Sequence, residues 1–580
     1  MKRSRMNLVL LVLGVAAAVA SAGLLARVSG SQVMSESTAQ FLGQVEKEAV
    51  VPLAELKGFG PVVLAPARWL APVLGAESSC RLLSLVGLVL LAVLAFLHAR
   101  ALLGALPAVA VPLLFVLLPQ VQQLLFEPNG GGWALLFLLG PALLFGLGGS
   151  LHEMPGRDGA GSGDGPEEKG GMGSVEDGGK GSAEQGGKGS AEQGGRQAQP
   201  GPAGVLLAAA GGLLAGGAVL VHPLGLWTSL AALLGLAVCR QRERGVSGKG
   251  MIRLSAVGLE LAAALVGFLV VAGIGAKVVG AGKNELAAWL FGPFSSFHPP
   301  LSVAGTVYSE AVDGGPPLWA SLYLLAARTP VLLLAASLAG SIAWVRRGGA
   351  FLSGPLSPIL FSWLAVLTGS SLAGSPFFLT DLSLLVPLSL LPSFLAGALF
   401  SPLPMSASAS QSASASPLPF FRLNRGILCA LLLLLSVAWS GWQMRPYPAA
   451  FGSLLCGGTD RCNAGNDPWM EPVVDSSLVE VIPAEEKELV ISPWGGRAQS
   501  AWSRLVPGPA GDGTGEARSK KRPDRQATRG ARLKDGGPRR ALIWRSGPTP
   551  ASRLLLEACN PDDRMAILPP GTRRLWSVCR

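Results

Sequence analysis

Long apolar runs recur along most of this 580-residue chain, and they decide which folds are open to it. About 20 apolar residues are needed to cross a hydrocarbon layer of ~30 Å. By that criterion we predict about eleven membrane-spanning helices, at 6–26, 82–99, 105–126, 132–149, 203–221, 224–239, 254–277, 329–345, 356–374, 379–400 and 426–442. Only 14% of the residues are charged, whereas 49% are hydrophobic, so a soluble protein of this length is excluded. We expect an all-α polytopic membrane protein.

Basic residues gather beside alternate spans and predict the orientation of the chain. Clusters lie at Arg240–Arg253, at Arg346–Arg347 and at Arg422–Arg425. If the N-terminus is cytoplasmic, all three fall on the cytoplasmic side, as the positive-inside rule requires. The net charge of +11 therefore reflects membrane topology, and we expect no nucleic-acid partner. The run at 6–26 is also compatible with a secretory signal cleaved after Ala-Ser-Ala at 20–22, but we prefer an uncleaved first span.

Composition divides the chain into four segments. Residues 152–202 are rich in glycine and repeat the octapeptide GGKGSAEQ at 178–185 and 186–193, which predicts a disordered cytoplasmic loop. The segments are an N-terminal membrane region at 1–151 with a first outer loop at 27–79, the glycine-rich loop, a C-terminal membrane region at 203–442, and a tail at 443–580 with a disordered basic insert at 509–540. An odd number of spans places the tail outside the cytoplasm.

The tail carries four of the seven cysteines. An even number of cysteines in an extracytoplasmic segment indicates disulfides, and the simplest pairing is local, Cys456 with Cys462 and Cys559 with Cys579. A zinc site is the rival interpretation, but the tail lacks both CxxC spacing and histidine. Short β-like runs at 478–482, 488–492 and 541–545 predict a small α/β extracytoplasmic domain.

The first outer loop carries the most informative residues. Glu36 follows the first span within Ser-Glu-Ser, and a segment punctuated by Gly60 and Pro61 comes next and is typical of an interfacial helix. The sequence Ala76–Leu85 then leads into the second span. This order resembles the lipid-dependent glycosyltransferases of GT-C architecture, in the branch of the protein mannosyltransferases and aminoarabinose transferases. Only residues 36–100 match that pattern in detail.

The resemblance implies sugar transfer from a polyprenyl-phosphate donor at the outer face of the membrane. By position, Glu36 would be the general base for the acceptor or would hold a metal. Arg68 and Arg81 would bind the donor phosphate, and Glu127, after the third span, would line the substrate site together with His298 or His222. A divalent metal is compatible with this chemistry, although no ligand cluster supports it. Membrane lipids and the lipid-linked sugar are the expected partners.

Two other classes of function stay open. A transporter or flippase would show paired broken helices, but no internal repeat pairs the Gly/Pro interruptions, and Glu260 is the clear mid-helix acid. The other class is a catalytically inactive membrane scaffold. The bias towards Ala, Gly, Leu and Arg indicates a high-GC bacterium, hence the bacterial cytoplasmic membrane with a periplasmic tail. A eukaryotic endomembrane protein would use a dolichyl carrier instead.

Overall fold

A computed structural model describes the chain over part of its length. The described residues are 33–47, 59–152, 202–245, 250–278, 283–295, 301–308, 317, 319–346, 352, 354–372, 382–401, 419–465, 473–481, 489–491, 504–505, 541–545, 556–561 and 563–579. The first predicted span, most of the glycine-rich loop, His298 and the whole basic insert lie outside them.

Helices dominate the described part of the chain. They are α1 (Glu36–Glu46), α2 (Pro61–Leu74), α3 (Ala76–Leu103), α4 (Ala105–Val116), α5 (Pro119–Phe126), α6 (Gly131–His152), α7 (Pro202–Val221), α8 (Leu224–Gly245), α9 (Gly250–Val278), α10 (Lys283–Ser295), α11 (Ala320–Arg328), α12 (Val331–Arg346), α13 (Ser357–Leu372), α14 (Leu382–Leu399), α15 (Pro419–Trp442), α16 (Thr459–Gly465), α17 (Ser476–Val481) and α18 (Pro570–Leu575). The strands are β1 (Val33–Ser35), β2 (Leu301–Val303), β3 (Thr306–Tyr308), β4 (Val473–Asp475), β5 (Leu489–Ile491), β6 (Ala541–Trp544) and β7 (Trp576–Cys579).

Fewer helices than predicted have the length and apolarity of a membrane span. Among the described residues five helices qualify, namely α3, α6, α7, α8 and α9, and the number rises to seven if each of two bent helix pairs is one span. Every predicted span from 82 onwards coincides with a helix, but the described apolar parts of α13, α14 and α15 are shorter than a full crossing. The expectation of about eleven spans is therefore met only in part.

One predicted span is broken, and another follows a sharp bend. The run at 105–126 forms α4 and α5, whose axes differ by 57°, and the run at 329–345 is preceded by α11, which meets α12 at 114°. Pro119 and Pro330 lie at these breaks. Proline lacks the N–H that would continue the helical hydrogen-bond ladder, so the chain turns there.

Close helix packing builds the core of the bundle. The largest contacts join α7 to α9, α3 to α6, and α6 to α7. A Cβ at Gly87 would come within 2.3 Å of the carbonyl oxygen of Gly132, so α3 and α6 touch backbone to backbone. Small residues at such crossings are what allow helices to pack closely in a membrane.

One buried ion pair crosses the bundle between α8 and α9. Arg240 Nη2 lies 2.9 Å from Glu260 Oε2, and both side chains are almost fully buried. A lone carboxylate in the middle of an apolar helix is costly, and pairing with a buried guanidinium compensates it. Glu260 therefore has a structural partner on the neighbouring helix.

Contacts between loops define two ends of the bundle. At one end the residues that precede α1 meet the turn after α5, Gly60 N donates to Val221 O at 2.8 Å, and Arg328 reaches the tail. At the other end Pro355 packs against Gly146 and Gly149. Described parts of several segments predicted on the outer side meet at the first end, which we call the tail end of the bundle.

The tail contains a small sheet and two disulfides. Strands β5 and β6 are parallel, and β6 and β7 are antiparallel, with Trp544 opposite Trp576. The structure joins Cys456 to Cys462 and Cys559 to Cys579, with Cα–Cα distances of 5.2 and 5.3 Å, which is the local pairing predicted from sequence. The strands predicted at 488–492 and 541–545 are present.

One predicted tail strand is wrong. The run at 478–482 lies mostly in helix α17, which begins directly after β4. Asp475 Oδ1 accepts hydrogen bonds from the backbone N and the hydroxyl of Ser477, and this arrangement caps the start of the helix. A five-residue apolar run does not by itself separate a strand from a buried helical turn.

Candidate functional site

The first outer loop enters the bundle as a short strand followed by a helix. Strand β1 pairs antiparallel with β4 of the tail, with Met34 opposite Val474. Ser35 ends the strand and caps α1, because its hydroxyl accepts from the backbone N of Thr38 at 3.2 Å. Glu36 is the first residue of that helix. The predicted acid therefore lies at the tail end of the bundle, on backbone that the tail holds in place.

Glu127 binds the same helix start from the opposite side. Its Oε1 accepts from Ser35 N at 3.1 Å, from the Ser35 hydroxyl, and from the Thr38 hydroxyl at 2.6 Å. The side chain is 2% exposed. Gly130, with φ +74°, reverses the chain between Glu127 and α6. Glu127 therefore binds Ser35 and Thr38, which lie on either side of Glu36 in the chain, although the two acidic residues are 91 positions apart (127 − 36).

Arg68 fixes the other end of α1. Its Nε and Nη2 donate to Gln44 O at 3.0 and 2.8 Å, and so satisfy a carbonyl in the last turn of the helix. Burial lowers the pKa of Arg68 from its usual value. Arg504 of the tail adds a two-pronged ion pair with Glu46 at 3.0 and 2.7 Å. Helix α1 is thus held at both ends.

Arg81 occupies a separate position. It lies in the second turn of α3 and is partly buried, four residues after Glu77. Within the described residues no hydrogen bond or ion pair joins Arg81 to Arg68 or to Glu127. The structure therefore brings Glu36, Arg68 and Glu127 to one helix, whereas it shows no contact that would bring Arg81 to that helix.

A second buried polar network lies beside the first, and sequence reasoning missed it. Asp475 is fully buried, and its Oδ2 accepts from the Tyr447 hydroxyl at 2.6 Å and from the Thr572 hydroxyl at 2.7 Å. Val473 O accepts from Tyr447 and from Trp576 Nε1. The sequence Asp-Ser-Ser at 475–477 is a helix-capping pattern, and it is the signal that could have pointed to Asp475.

The electrostatics of Tyr447 connect the two networks. Burial raises the pKa of Tyr447 well above 10, and the charges of Asp475 and, to a smaller extent, Glu127 raise it further. Two buried carboxylates therefore act on the same phenol. A tyrosine in this position stays protonated and serves as a hydrogen-bond donor.

Arg328 attaches the beginning of the tail to the bundle. Its Nη1 donates to Ala450 O at 3.1 Å, to Phe451 O at 3.3 Å and to the Asn463 side-chain oxygen at 2.5 Å. Ser453 N donates to Ala327 O at 2.8 Å. The Cys456–Cys462 disulfide closes the loop between Ser453 and Asn463, two of the residues in these contacts. The end of α11 thus binds the beginning of the tail through hydrogen bonds.

His222 has a local structural role. His222 is buried in the turn between α7 and α8, where its Nδ1 accepts from Leu224 N at 3.1 Å. No group of three or more His, Cys, Asp or Glu side chains with metal-binding spacing occurs in the described part of the chain. The geometry assigns His222 a capping role.

Comparison with known proteins gives one distant likeness. No protein-family profile and no curated protein sequence matches the chain. The fold is distantly similar to an archaeal oligosaccharyltransferase. The match to AglB from Archaeoglobus fulgidus in complex with an inhibitory peptide and a dolichol-phosphate has 14% identity and a TM-score of 0.37, and covers 70% of this chain and 51% of that one.

Two further structures of the Archaeoglobus fulgidus oligosaccharyltransferase match at the same level. The apo form has 11% identity and a TM-score of 0.37, and the complex with zinc and sulfate has 13% identity and a TM-score of 0.36. Each covers 70% of this chain, which spans about half the length of these structures. The likeness assigns no activity, donor or metal to this chain.

Proposed function

We propose that this chain is a membrane glycosyltransferase-like protein that transfers a sugar from a polyprenyl-phosphate donor at the outer face of the cytoplasmic membrane. The observation that carries the proposal is the fixed start of α1, where Glu127 and β4 hold the backbone that bears Glu36. A catalytic base has to be held within a fraction of an ångström of its working position, and supporting hydrogen bonds provide this precision.

The chemistry follows from the position of Glu36. Its carboxylate would take the proton of an acceptor hydroxyl while the acceptor oxygen attacks the anomeric carbon. The bond between the sugar and the phosphate then breaks, and the polyprenyl phosphate leaves with the bonding electrons. Arg68 would stabilise the negative charge on that leaving phosphate. Arg81 and His298 remain proposed as further contacts to the donor and acceptor.

Helix α2 would give a lipid donor its path to the site. Trp69 and Val73 on this helix are 80% and 84% exposed, whereas Val63 and Ala67 pack into the bundle. A short helix with an apolar outer face lies in the plane of a membrane interface. Arg68 is on the same helix, so a donor whose tail stays in the bilayer would meet a guanidinium at headgroup depth.

Glu127 has a positioning role in this proposal. Its Oε1 is occupied by two hydroxyls and a backbone N–H, and the side chain is buried. We assign it to holding α1 in place. The two tail disulfides support an extracytoplasmic tail, since such bonds persist in oxidising compartments.

The test is turnover with a panel of polyprenyl-phosphate sugars in detergent. We expect sugar release or transfer in the wild type, a loss of at least 100-fold in Glu36→Gln, the lower end for a general base, and an unchanged rate in Glu285→Gln, which removes an exposed acid from α10. Equal melting temperatures would show that all three proteins are folded. Activity that survives in Glu36→Gln would refute the role of Glu36, and absence of any turnover would refute the enzyme.

An inactive relative is the second candidate. The observation in its favour is that two acids beside the site, Glu127 and Asp475, are buried and bound by neighbouring donors. Binding of the lipid-linked sugar without turnover would identify this case. The transporter interpretation loses support, because the mid-helix acid Glu260 is paired with Arg240.

A further inference from the structure

The last membrane helix presents an apolar face that ends in tryptophans. On α15 the side chains of Leu428, Leu431, Leu432 and Leu435 are 51–65% exposed. Trp439 and Trp442 continue this face at 58% and 41% exposure, and the helix ends at Trp442. Tryptophan is enriched where a membrane helix leaves the hydrocarbon layer. Trp442 therefore marks the level of the lipid headgroups at the tail end of the bundle.

Arg445 lies directly over this tryptophan. Its Cζ is 3.0 Å from the centroid of the Trp442 ring, and its Nε donates to Trp442 O at 3.4 Å. Burial lowers the pKa of Arg445 from its usual value. No described residue accepts a hydrogen bond from Nη1 or Nη2 of this guanidinium. A partly buried cation in this situation attracts an anion.

A second guanidinium, from the tail, contacts the residue next to Arg445 in the chain. Arg574 Nη1 lies 3.2 Å from the sulfur of Met444, the residue before Arg445, and Arg574 Nε lies 3.3 Å from Asp460. Only one carboxylate, that of Asp460, forms an ion pair with either arginine within the described residues. The local charge balance is therefore positive, at the depth where phospholipid phosphates lie.

We infer that Arg445 and Arg574, beside Trp442, form a binding site for the phosphate of an anionic phospholipid at the tail end of the bundle. Guanidinium groups bind phosphate oxygens through paired hydrogen bonds. The acyl chains of the same lipid would lie along the leucine face of α15, so one molecule would satisfy both surfaces. The site is separate from Glu36, and its existence does not depend on the glycosyltransferase proposal.

The test measures lipid retention by the purified full-length protein in mixed micelles that contain phosphatidylglycerol or phosphatidylcholine. We expect the wild type to retain phosphatidylglycerol preferentially. Arg445→Gln and Arg574→Gln should each weaken retention about fivefold, the size of effect that one basic residue has near an anionic surface. Arg445→Lys, which keeps the charge, should restore most of it.

Arg573→Gln is the matched control, because Arg573 is an exposed neighbour of Arg574 on α18 and is outside the proposed site. An equal loss in this control would show a diffuse effect of basic charge and overturn the proposal. Unchanged retention in Arg445→Gln would overturn it as well. Displacement of the lipid by millimolar inorganic phosphate would identify a site for free phosphate and refute the lipid assignment. Equal melting temperatures of the variants exclude misfolding as the cause.

Discussion

Helix α5 carries buried amide side chains with contrasting environments. Gln120 is fully buried, and its Nε2 donates to Arg328 O at the end of α11, so it connects the two bent helix pairs. Gln123 lies one turn later and is also fully buried, but neither of its side-chain polar atoms has a partner in the described residues. A buried amide without a hydrogen bond costs roughly 1–3 kcal/mol. Glutamine thus stabilises the bundle at position 120 and destabilises it at position 123.

Replacement of these two glutamines by leucine should therefore have opposite effects. Gln123→Leu removes an unsatisfied amide and keeps a similar volume, so we expect the melting temperature in detergent to rise by a few degrees. Gln120→Leu leaves Arg328 O without its donor, so we expect a fall of similar size. Tryptophan fluorescence during heating measures both. A fall in Gln123→Leu as large as that in Gln120→Leu would contradict the difference between the two sites.

Tyr447 makes the attachment of the tail sensitive to high pH. Its pKa is raised above 10 by burial first and by Asp475 second, so the folded state favours the protonated phenol. The stabilisation is complete below pH ~10, the ordinary tyrosine value, and is lost as the pH rises through the raised folded-state pKa. We therefore expect Tyr447 to have no effect on the pH dependence of the melting temperature below pH ~10. Above that pH, ionisation of Tyr447 should lower the melting temperature.

The phenylalanine variant isolates the contribution of Tyr447. Tyr447→Phe should be less stable at pH 8, because Asp475 loses a donor, and should show a smaller further loss between pH 10 and 11.5. Tyr323→Phe, on α11, serves as the control and should keep the wild-type slope. An identical alkaline loss in wild type and Tyr447→Phe would show that another group is responsible.

At the scale of secondary-structure elements, the ion pair between Arg240 and Glu260 fixes α8 against α9. Removal of one partner leaves a buried charge without compensation, which typically costs 3–5 kcal/mol, whereas apolar replacement of both partners is often neutral. We expect Arg240→Gln to unfold at a markedly lower temperature and Arg240→Met with Glu260→Leu to unfold near the wild-type temperature. A double variant as unstable as the single one would show that the pair itself is required.

Elements with strong periodic or compositional signals could be predicted from sequence, and those that depend on neighbours could not. The apolar runs gave the position of every described membrane helix, because burial in lipid requires such runs. The bend at Pro119 within the predicted span 105–126 depends on packing and was not predicted. Helix α17 was predicted as a strand, because a short apolar run does not separate a strand from a helical turn, and β7 has too few residues to show a pattern.

The candidate site shows the same limit more strongly. Sequence pointed to Glu36, Arg68 and Glu127 as separate residues, but their arrangement around α1 depends on β1 pairing with β4, which lies about 440 positions further along the chain (473 − 33). Neither hydropathy nor motif spacing contains that pairing. Local disulfides at 456–462 and 559–579, by contrast, could be predicted because the partners are close in sequence.

At the scale of the whole molecule, the membrane topology is defined by which end of the bundle faces the cytoplasm. Trp289 Nε1 of α10 donates to Val219 O, next to the contact of Gly60 with Val221, so α10 belongs to the tail end. Leu352 is 62% exposed and lies three residues before Pro355, which packs against α6 at the other end. Glu285 on α10 and Leu352 are therefore exposed positions at opposite ends of the bundle.

Cysteine labelling of intact bacterial spheroplasts tests the orientation that the proposed function requires. In a background with Cys80, Cys239 and Cys429 replaced by alanine, Glu285→Cys on α10 should react with a membrane-impermeant maleimide from outside. Leu352→Cys should react only after the membrane is permeabilised, since the basic residues Arg346 and Arg347 come shortly before it in the sequence and predict the cytoplasmic side. Labelling of both from outside would break the alternation of spans, and the reverse pattern would place Glu36 and both disulfides in the cytoplasm, where neither a lipid-linked sugar at the outer face nor a stable disulfide would be found.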